Sequence, residues 1–70
     1  MHYLVIEIQK NGDAMGNLVW SYDNINAAEA KYHSLLAVAA VSSVEVHSVA
    51  LLNETGMCVK HESYIHGAAE

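Results

Sequence analysis

The fold is decided by the alanine-rich stretch from about Asn24 to Val41, which reads NINAAEAKYHSLLAVAAV. Its larger and smaller apolar residues recur at the spacing of one helix face: Ala28, Tyr32, Leu35, Leu36 and Ala39. We therefore predict a helix from Ala27 to about Val41. Asn26, with Glu29 three residues later, resembles a capping box at its start, and Asp23 is the competing cap.

Two strand-like segments lie on each side of this helix. The first pair is His2 to Gln9 and Asn17 to Tyr22, and the second pair is Val44 to Leu52 and Met57 to Ile65. Each shows the alternation of a β-strand, and glycine-containing turns separate the members of each pair. The loop around Gly12 looks longer than a minimal hairpin. The remaining tail, residues 66–70, is expected to fray.

The order of these segments predicts a single α+β domain over residues 1–70. It has the topology ββαββ, with a four-stranded, mainly antiparallel sheet and one helix packed on one face. Seventy residues are enough for one domain only. The favoured strand order is 2-1-4-3, as in β-grasp-like domains, because it places the first and last strands in the centre.

The strands carry apolar residues on both of their faces. If Ile6 lies opposite Trp20, the row of Leu4, Ile6 and Ile8 shares one side of the sheet with Trp20. We expect this side to face the helix. The second row then faces outward, and its members are Tyr3, Val5, Val19, His47, Val49, Leu51, Cys58 and Tyr64, with Glu7, Glu45, Lys60 and Glu62 at its edges. One helix can cover only one face of a small sheet, so the outward row needs a partner.

Composition also favours self-association. Hydrophobic residues make up 53% of the chain and charged residues only 16%, against about 45–50% and about 25% in ordinary soluble domains. The core of so short a chain is marginal, and the single cysteine, Cys58, rules out an intrachain disulfide. We predict a homo-oligomer whose interface includes Val5, Val19, Val49 and Leu51.

Charge and hydropathy argue against several classes of partner. The net charge is −5, with three lysines and no arginine, which disfavours nucleic-acid binding. No apolar run approaches the roughly 18 residues that a membrane-spanning helix needs. The amino terminus lacks a basic segment, and Glu7 interrupts its apolar residues, so it does not resemble a signal peptide. These features favour an intracellular protein without a membrane partner.

Catalytic and metal-binding motifs are weak in this sequence. His47 and Glu62 are expected to be cross-strand neighbours on the outward face, where an ordinary charge pair is a better interpretation than a general base. His47 and His61 fall on opposite faces unless a bulge intervenes, and no Cys/His pair has zinc spacing. We predict no enzyme, no metal and no cofactor.

A binding role fits the polar-tipped side chains better. Tyrosine and histidine combine stacking surface with hydrogen-bonding groups, which suits a nucleotide-like ligand. The candidate ligand-binding residues are Tyr3, Tyr32, His33, His47, Lys60 and Tyr64. The acidic balance of the chain counts against an anionic ligand unless lysines and helix N-termini from several subunits converge.

Nearly the whole chain resembles small, uncharacterised open reading frames of phages and prophages of gut Firmicutes. The segments that carry the resemblance are YLVIEIQ (3–9), SYD (21–23), AEAKYH (28–33), AVAAVS (37–42), VHSVALL (46–52) and ESYIH (62–66). No functional residue is carried over from that group. The resemblance implies a protein that acts in the cytoplasm of a bacterial host.

Within that setting the sequence supports two hypotheses. The first is a non-enzymatic binding module that self-associates and sequesters or inhibits a host component, either a small nucleotide-like defence signal or a defence protein. The alternative is a virion or tail-assembly accessory protein, which needs only surface complementarity. An enzyme built on His47 and Glu62 is the third and weakest.

Overall fold

The computed structural model describes residues 1–66 and confirms an α+β fold with four antiparallel strands and one helix. The terminal residues 67–70, where fraying was expected, lie outside the described residues. The elements are β1 (Tyr3–Asn11), β2 (Ala14–Tyr22), α1 (Ile25–Val41), β3 (Val46–Asn53) and β4 (Cys58–Ile65). Each lies within three residues of its predicted bounds.

The strand order is β2-β1-β3-β4, so the predicted order 2-1-4-3 is wrong. β1 pairs with β3, and β4 lies at the edge. The reason is the composition of the two last strands. β3 is buried or half-buried along its length, whereas β4 carries Lys60, His61 and Glu62 and is mostly exposed. An edge position keeps those charged groups in water and discourages pairing with further strands.

The first hairpin is tighter than predicted. β1 and β2 are joined by only Gly12 and Asp13, and the paired register runs from Tyr3 opposite Tyr22 to Asn11 opposite Ala14. Gly12 has a φ of 58°, which a two-residue hairpin turn requires and glycine adopts without strain. This register opposes Val5, not Ile6, to Trp20.

The helix begins two residues earlier than its predicted capping box indicates. Asn24 is the N-cap, and its side-chain oxygen accepts a hydrogen bond of 2.8 Å from the Ala27 amide. Asn26 lies inside the helix, so the predicted cap at Asn26 is wrong. An asparagine cap satisfies an amide that would otherwise lack a partner. At the other end Ser42 terminates the helix, and its amide donates to the Ala39 carbonyl.

The one-residue difference in register reverses the predicted faces of β1, β3 and β4, whereas Trp20 of β2 packs on the helix-facing side as predicted. A slip of one residue moves every side chain of a strand to the other side. The core beneath the helix is therefore built from the row expected to face outward: Val5, Val49 and Leu51 pack there against Ala28, Tyr32 and Leu35. Tyr3, Trp20 and Tyr22 pack around its margin.

The predicted interface changes as a result. Val5, Val49 and Leu51 are each 0% exposed under the helix, so their assignment to a subunit interface is wrong for the folded subunit. Val19 is different, because it is 53% exposed and lies opposite Ile6 on the side of the sheet that the helix does not cover. Only Val19 of the four predicted residues remains available to a partner.

We call the uncovered side of the sheet the open face. By the strand registers it comprises Leu4, Ile6, Ile8, Lys10, Met15, Asn17, Val19, Ser21, Val46, Ser48, Ala50, Leu52, His61, Ser63 and Ile65. Lys10, at one end of β1, is the only Asp, Glu, Lys or Arg among these paired and described positions. The open face is thus apolar across its two central strands.

Over residues 1–66, no helix combines the length and apolar character needed to cross a membrane.

Candidate functional site

A hydrogen-bonded chain of three side chains joins the helix end to the two central strands. His47 Nε2 lies 2.6 Å from Glu7 Oε2, and His47 Nδ1 lies 2.9 Å from Ser42 Oγ. Both His47 and Glu7 are buried, at 2% and 6% exposure. Glu7 and His47 are two of the three polar or charged residues that are buried in the described part of the molecule.

The pairing of β1 with β3 brings Glu7 and His47 together. In this register Glu7 opposes Val49 and Gln9 opposes His47, so Glu7 and His47 are diagonal neighbours on the helix-facing side. Ser42 comes from the helix terminus, only five residues before His47. The sequence placed Glu7 and His47 on one row, but the predicted strand order separated their strands. The correct order would have revealed the pair.

One assignment of donors and acceptors satisfies the hydrogen bonds that join Ser42, His47 and Glu7. The Val44 amide donates to Ser42 Oγ at 3.3 Å, which leaves the Ser42 hydroxyl free to donate to His47 Nδ1. His47 Nε2–H then donates to the Glu7 carboxylate. In the described residues, no buried side-chain nitrogen or oxygen lacks a partner.

The order hydroxyl, imidazole, carboxylate resembles that of a serine-hydrolase triad, but two observations favour a structural role. His47 is 2% exposed, so a substrate has little access to the imidazole. Ser42 caps the carboxyl end of α1, where the helix dipole is negative and opposes a developing oxyanion. The hydrogen-bonded side chains of Ser42, His47 and Glu7 therefore act as a polar link between the helix and the sheet.

The predicted pairing of His47 with Glu62 is not what the structure shows. His47 opposes Tyr64, Glu62 opposes Val49, and the carboxylate bound to His47 belongs to Glu7. His61 opposes Ala50 on the open face and is exposed, with Nε2 at 3.2 Å from Ser63 Oγ. His47 and His61 therefore lie on opposite faces, as the sequence indicated.

The six predicted ligand-binding residues do not line one common pocket. Tyr32 lies in the core with its ring in edge contact with exposed His33, at a centroid separation of 5.4 Å. Lys60 binds Glu29 at 3.1 Å. Tyr64 stacks on His66 at 6.1 Å, and Tyr3 packs against the core. His47 belongs to the buried chain.

Burial changes the protonation of Tyr32. Removal from solvent raises the pKa of its phenol, and the nearby Glu62 carboxylate, Cys58 and Tyr64 raise the pKa further. Tyr32 therefore stays neutral to higher pH than an ordinary tyrosine. It is suited to packing and hydrogen bonding in its neutral form.

We expect this raised pKa to make stability fall at alkaline pH. The folded state keeps the Tyr32 proton above about pH 10, where tyrosines of the unfolded chain lose theirs. Its contribution is complete below that pH and is lost as the pH rises through the folded pKa. Urea unfolding at constant protein concentration, from about pH 8 to about pH 11, should show a smaller alkaline loss in Tyr32→Phe than in the wild type. Equal alkaline losses of stability in Tyr32→Phe and the wild type would contradict this expectation.

An open cleft adjoins Glu7 on the helix-facing side of the first hairpin. It has a volume of about 290 Å³ and is lined by Glu7, Gln9, Gly16, Asn17 and Leu18. Of these residues, sequence analysis had singled out none as a ligand contact. Over residues 1–66, no three His, Cys, Asp or Glu side chains are grouped closely enough to hold a metal ion.

Comparison with known proteins adds no assignment to this geometry. No family model, no curated protein and no solved structure matches the chain. Function is therefore inferred from the open face, the hydrogen-bonded side chains of Ser42, His47 and Glu7, and the cleft.

Proposed function

We propose that the protein is a non-enzymatic binding module that works as a homodimer joined through the open face. The observation that carries this proposal is the apolar character of that face. Leu4, Val19 and Ile65 are 36%, 53% and 69% exposed there, on a surface with no charged residue except Lys10 among its described positions. A solvated face of an antiparallel sheet is ordinarily polar.

The size of the open face suits a second copy of the chain. Strands of 8–9 residues at about 3.4 Å per residue, in four rows about 4.8 Å apart, give a flat area of roughly 500 Å². Because side chains project from the pleated sheet, the accessible surface of this face is larger than its flat area. It approaches the ~800 Å² that each partner buries in a standard interface. Lys10 lies at one end of β1, so two copies can pack their central apolar rows against each other without opposing like charges there.

The proposed dimer is a stack of four layers, with the two sheets inside and the two helices outside. Two-fold symmetry makes such an interface self-complementary, because the same patch serves both subunits. Packed sheets lie about 10 Å apart, so Ile6 and Ala50 of the central strands would form the middle of the interface. Both helix-facing sides stay accessible to other ligands.

Matched valine-to-lysine variants test the interface. Val19→Lys places a charge on the open face and should weaken dimerisation about 100-fold, because an unpaired ammonium resists burial. Val41→Lys makes the same change at a valine that is 85% exposed at the helix end, and should leave association unchanged. Sedimentation equilibrium over micromolar concentrations measures both constants.

Two results would contradict the proposed dimer. One is a monomeric wild type throughout that concentration range. The other is equal association of Val19→Lys and wild type, provided that Ile6→Lys on the adjacent central strand also associates normally. Circular dichroism of each variant shows that the fold is retained. The Val41→Lys control separates loss of the interface from a general effect of added charge.

The target of the module is proposed from the resemblance to phage open reading frames. In that setting it sequesters or inhibits a host component in the bacterial cytoplasm. The alternative, a virion or tail-assembly accessory protein, uses the same kind of apolar contact. Mass spectrometry of purified particles distinguishes them: presence at stoichiometric level supports the accessory role, and absence supports the cytoplasmic module.

A further inference from the structure

We infer that the cleft beside Glu7 binds a small primary ammonium ion with a short apolar arm. This inference is independent of the proposed dimer, because the cleft lies on the helix-facing side of the sheet. The wall includes Glu7, Gln9 and Leu18, and Leu18 is 56% exposed. At about 290 Å³ the space is near the lower end of the roughly 300–1,000 Å³ of ligand pockets.

The first support is the incomplete bonding of Glu7. His47 Nε2 binds Oε2 at 2.6 Å, and no protein group in the described residues donates to Oε1. Every fully buried polar side-chain atom of that region has a partner, so Oε1 must reach solvent. Since Glu7 is only 6% exposed and lines the cleft, this oxygen is an acceptor available there. A nearly buried carboxylate is costly without donors.

The second support is that no lysine lies near this carboxylate. The chain has three lysines and no arginine. Lys31 lies over the Trp20 ring at 4.3 Å, and Lys60 binds Glu29 at 3.1 Å. Lys10 is on the open face of the same strand. None of the three lysines is placed to neutralise Glu7. His47 is its side-chain partner among the described residues and binds Oε2, so an external ammonium can donate to Oε1.

The shape of the cleft selects a small ligand. Gly16 lies opposite Gln9 in the hairpin, and a Cβ added to Gly16 would meet no atom within 4 Å. The absence of a side chain at Gly16 leaves room directly beside β1. Leu18, opposite Glu7, offers an apolar wall to the arm of the ligand. A charge-assisted hydrogen bond from the ammonium to Glu7 would anchor the other end.

The test uses n-butylammonium as the probe and 1-butanol as its neutral counterpart. Amide chemical shifts of the full chain are followed by NMR during each titration at constant ionic strength. We expect saturable shifts at Glu7, Gln9 and residues 16–18 with n-butylammonium, and at least about tenfold weaker binding of 1-butanol. Absence of saturable shifts at these amides, or equal binding of the two probes, would overturn the inference.

Two variants remove the site in different ways. Glu7→Gln removes the charge and keeps an acceptor for His47, and it should weaken n-butylammonium binding about tenfold or more. Gly16→Val fills the space without backbone strain, because Gly16 does not have a positive φ, and should abolish binding. A folded Gly16→Val or Glu7→Gln protein that binds as the wild type does would place the ligand elsewhere and overturn the inference.

The dimer variant supplies the control. Val19→Lys changes the open face and leaves the cleft residues untouched, so it should bind n-butylammonium with wild-type affinity. Loss of dimerisation with retained ligand binding would contradict neither proposal. Retained dimerisation in the Gly16→Val variant, with lost ligand binding, confirms that the two surfaces act separately.

Discussion

Val49→Lys is expected to prevent folding. Val49 is 0% exposed between the helix and the central strands, where it packs in the same cluster as Tyr32 and Leu51. A lysine there loses the packing of the valine and buries an ammonium group that has no partner. The combined cost exceeds the roughly 5 kcal/mol at the low end of small-domain stability. Circular dichroism should show loss of the cooperative thermal transition.

The same substitution at Val19 is the matched control. Val19 is 53% exposed on the open face, so Val19→Lys should retain the secondary structure while it loses association. The contrast distinguishes the two faces of the sheet directly. If Val49→Lys melted cooperatively near the wild-type temperature and Val19→Lys did not fold, the assignment of the helix-facing side would be wrong.

The second large effect is expected at His47. His47→Ala should lower the free energy of unfolding by about 3 kcal/mol, because it leaves the Glu7 carboxylate buried without its donor and removes the partner of Ser42. Urea unfolding at constant protein concentration measures the change. The control is His2→Ala, at an exposed histidine outside both the core and the open face, which should change stability by no more than about 0.5 kcal/mol.

A double variant identifies the cause of that loss. Glu7→Gln added to His47→Ala replaces the stranded carboxylate by a neutral amide, so the double variant should be more stable than His47→Ala alone. Such coupling is expected of residues in direct contact. Strict additivity of the two changes would show that the effect of His47→Ala comes from lost packing and not from the Glu7 carboxylate.

The local elements were largely predictable. The alternation in the four segments and the helical spacing around Tyr32 depend on short-range geometry, so the element order ββαββ and the single helix were confirmed. The bounds moved by a few residues where caps and turns decided them. Asn24 outcompeted Asn26 as the cap, and the Gly12 turn closed a shorter hairpin than expected.

Only part of the candidate site could be predicted from the sequence. Glu7 and His47 were expected on the same row of side chains, but an isolated sequence does not show which strands are adjacent. The polar character of β4, with Lys60 and Glu62, was a usable sign that β4 lies at the edge and that β3 pairs with β1. The cleft beside Gly16 had no signal, because the glycine looked like a turn residue.

The sequence by itself determined the order of the four strands and the helix along the chain. Residue alternation and helical spacing are properties of neighbouring residues, so they specify these elements without reference to which strands pair. It also determined that both faces of the sheet are apolar. Tertiary structure alone decided which face the helix covers, because two apolar rows differ little in burial free energy and a one-residue register exchanges them. The pairing of β1 with β3 then placed Glu7 beside His47 and left the open face, with Val19, for a partner.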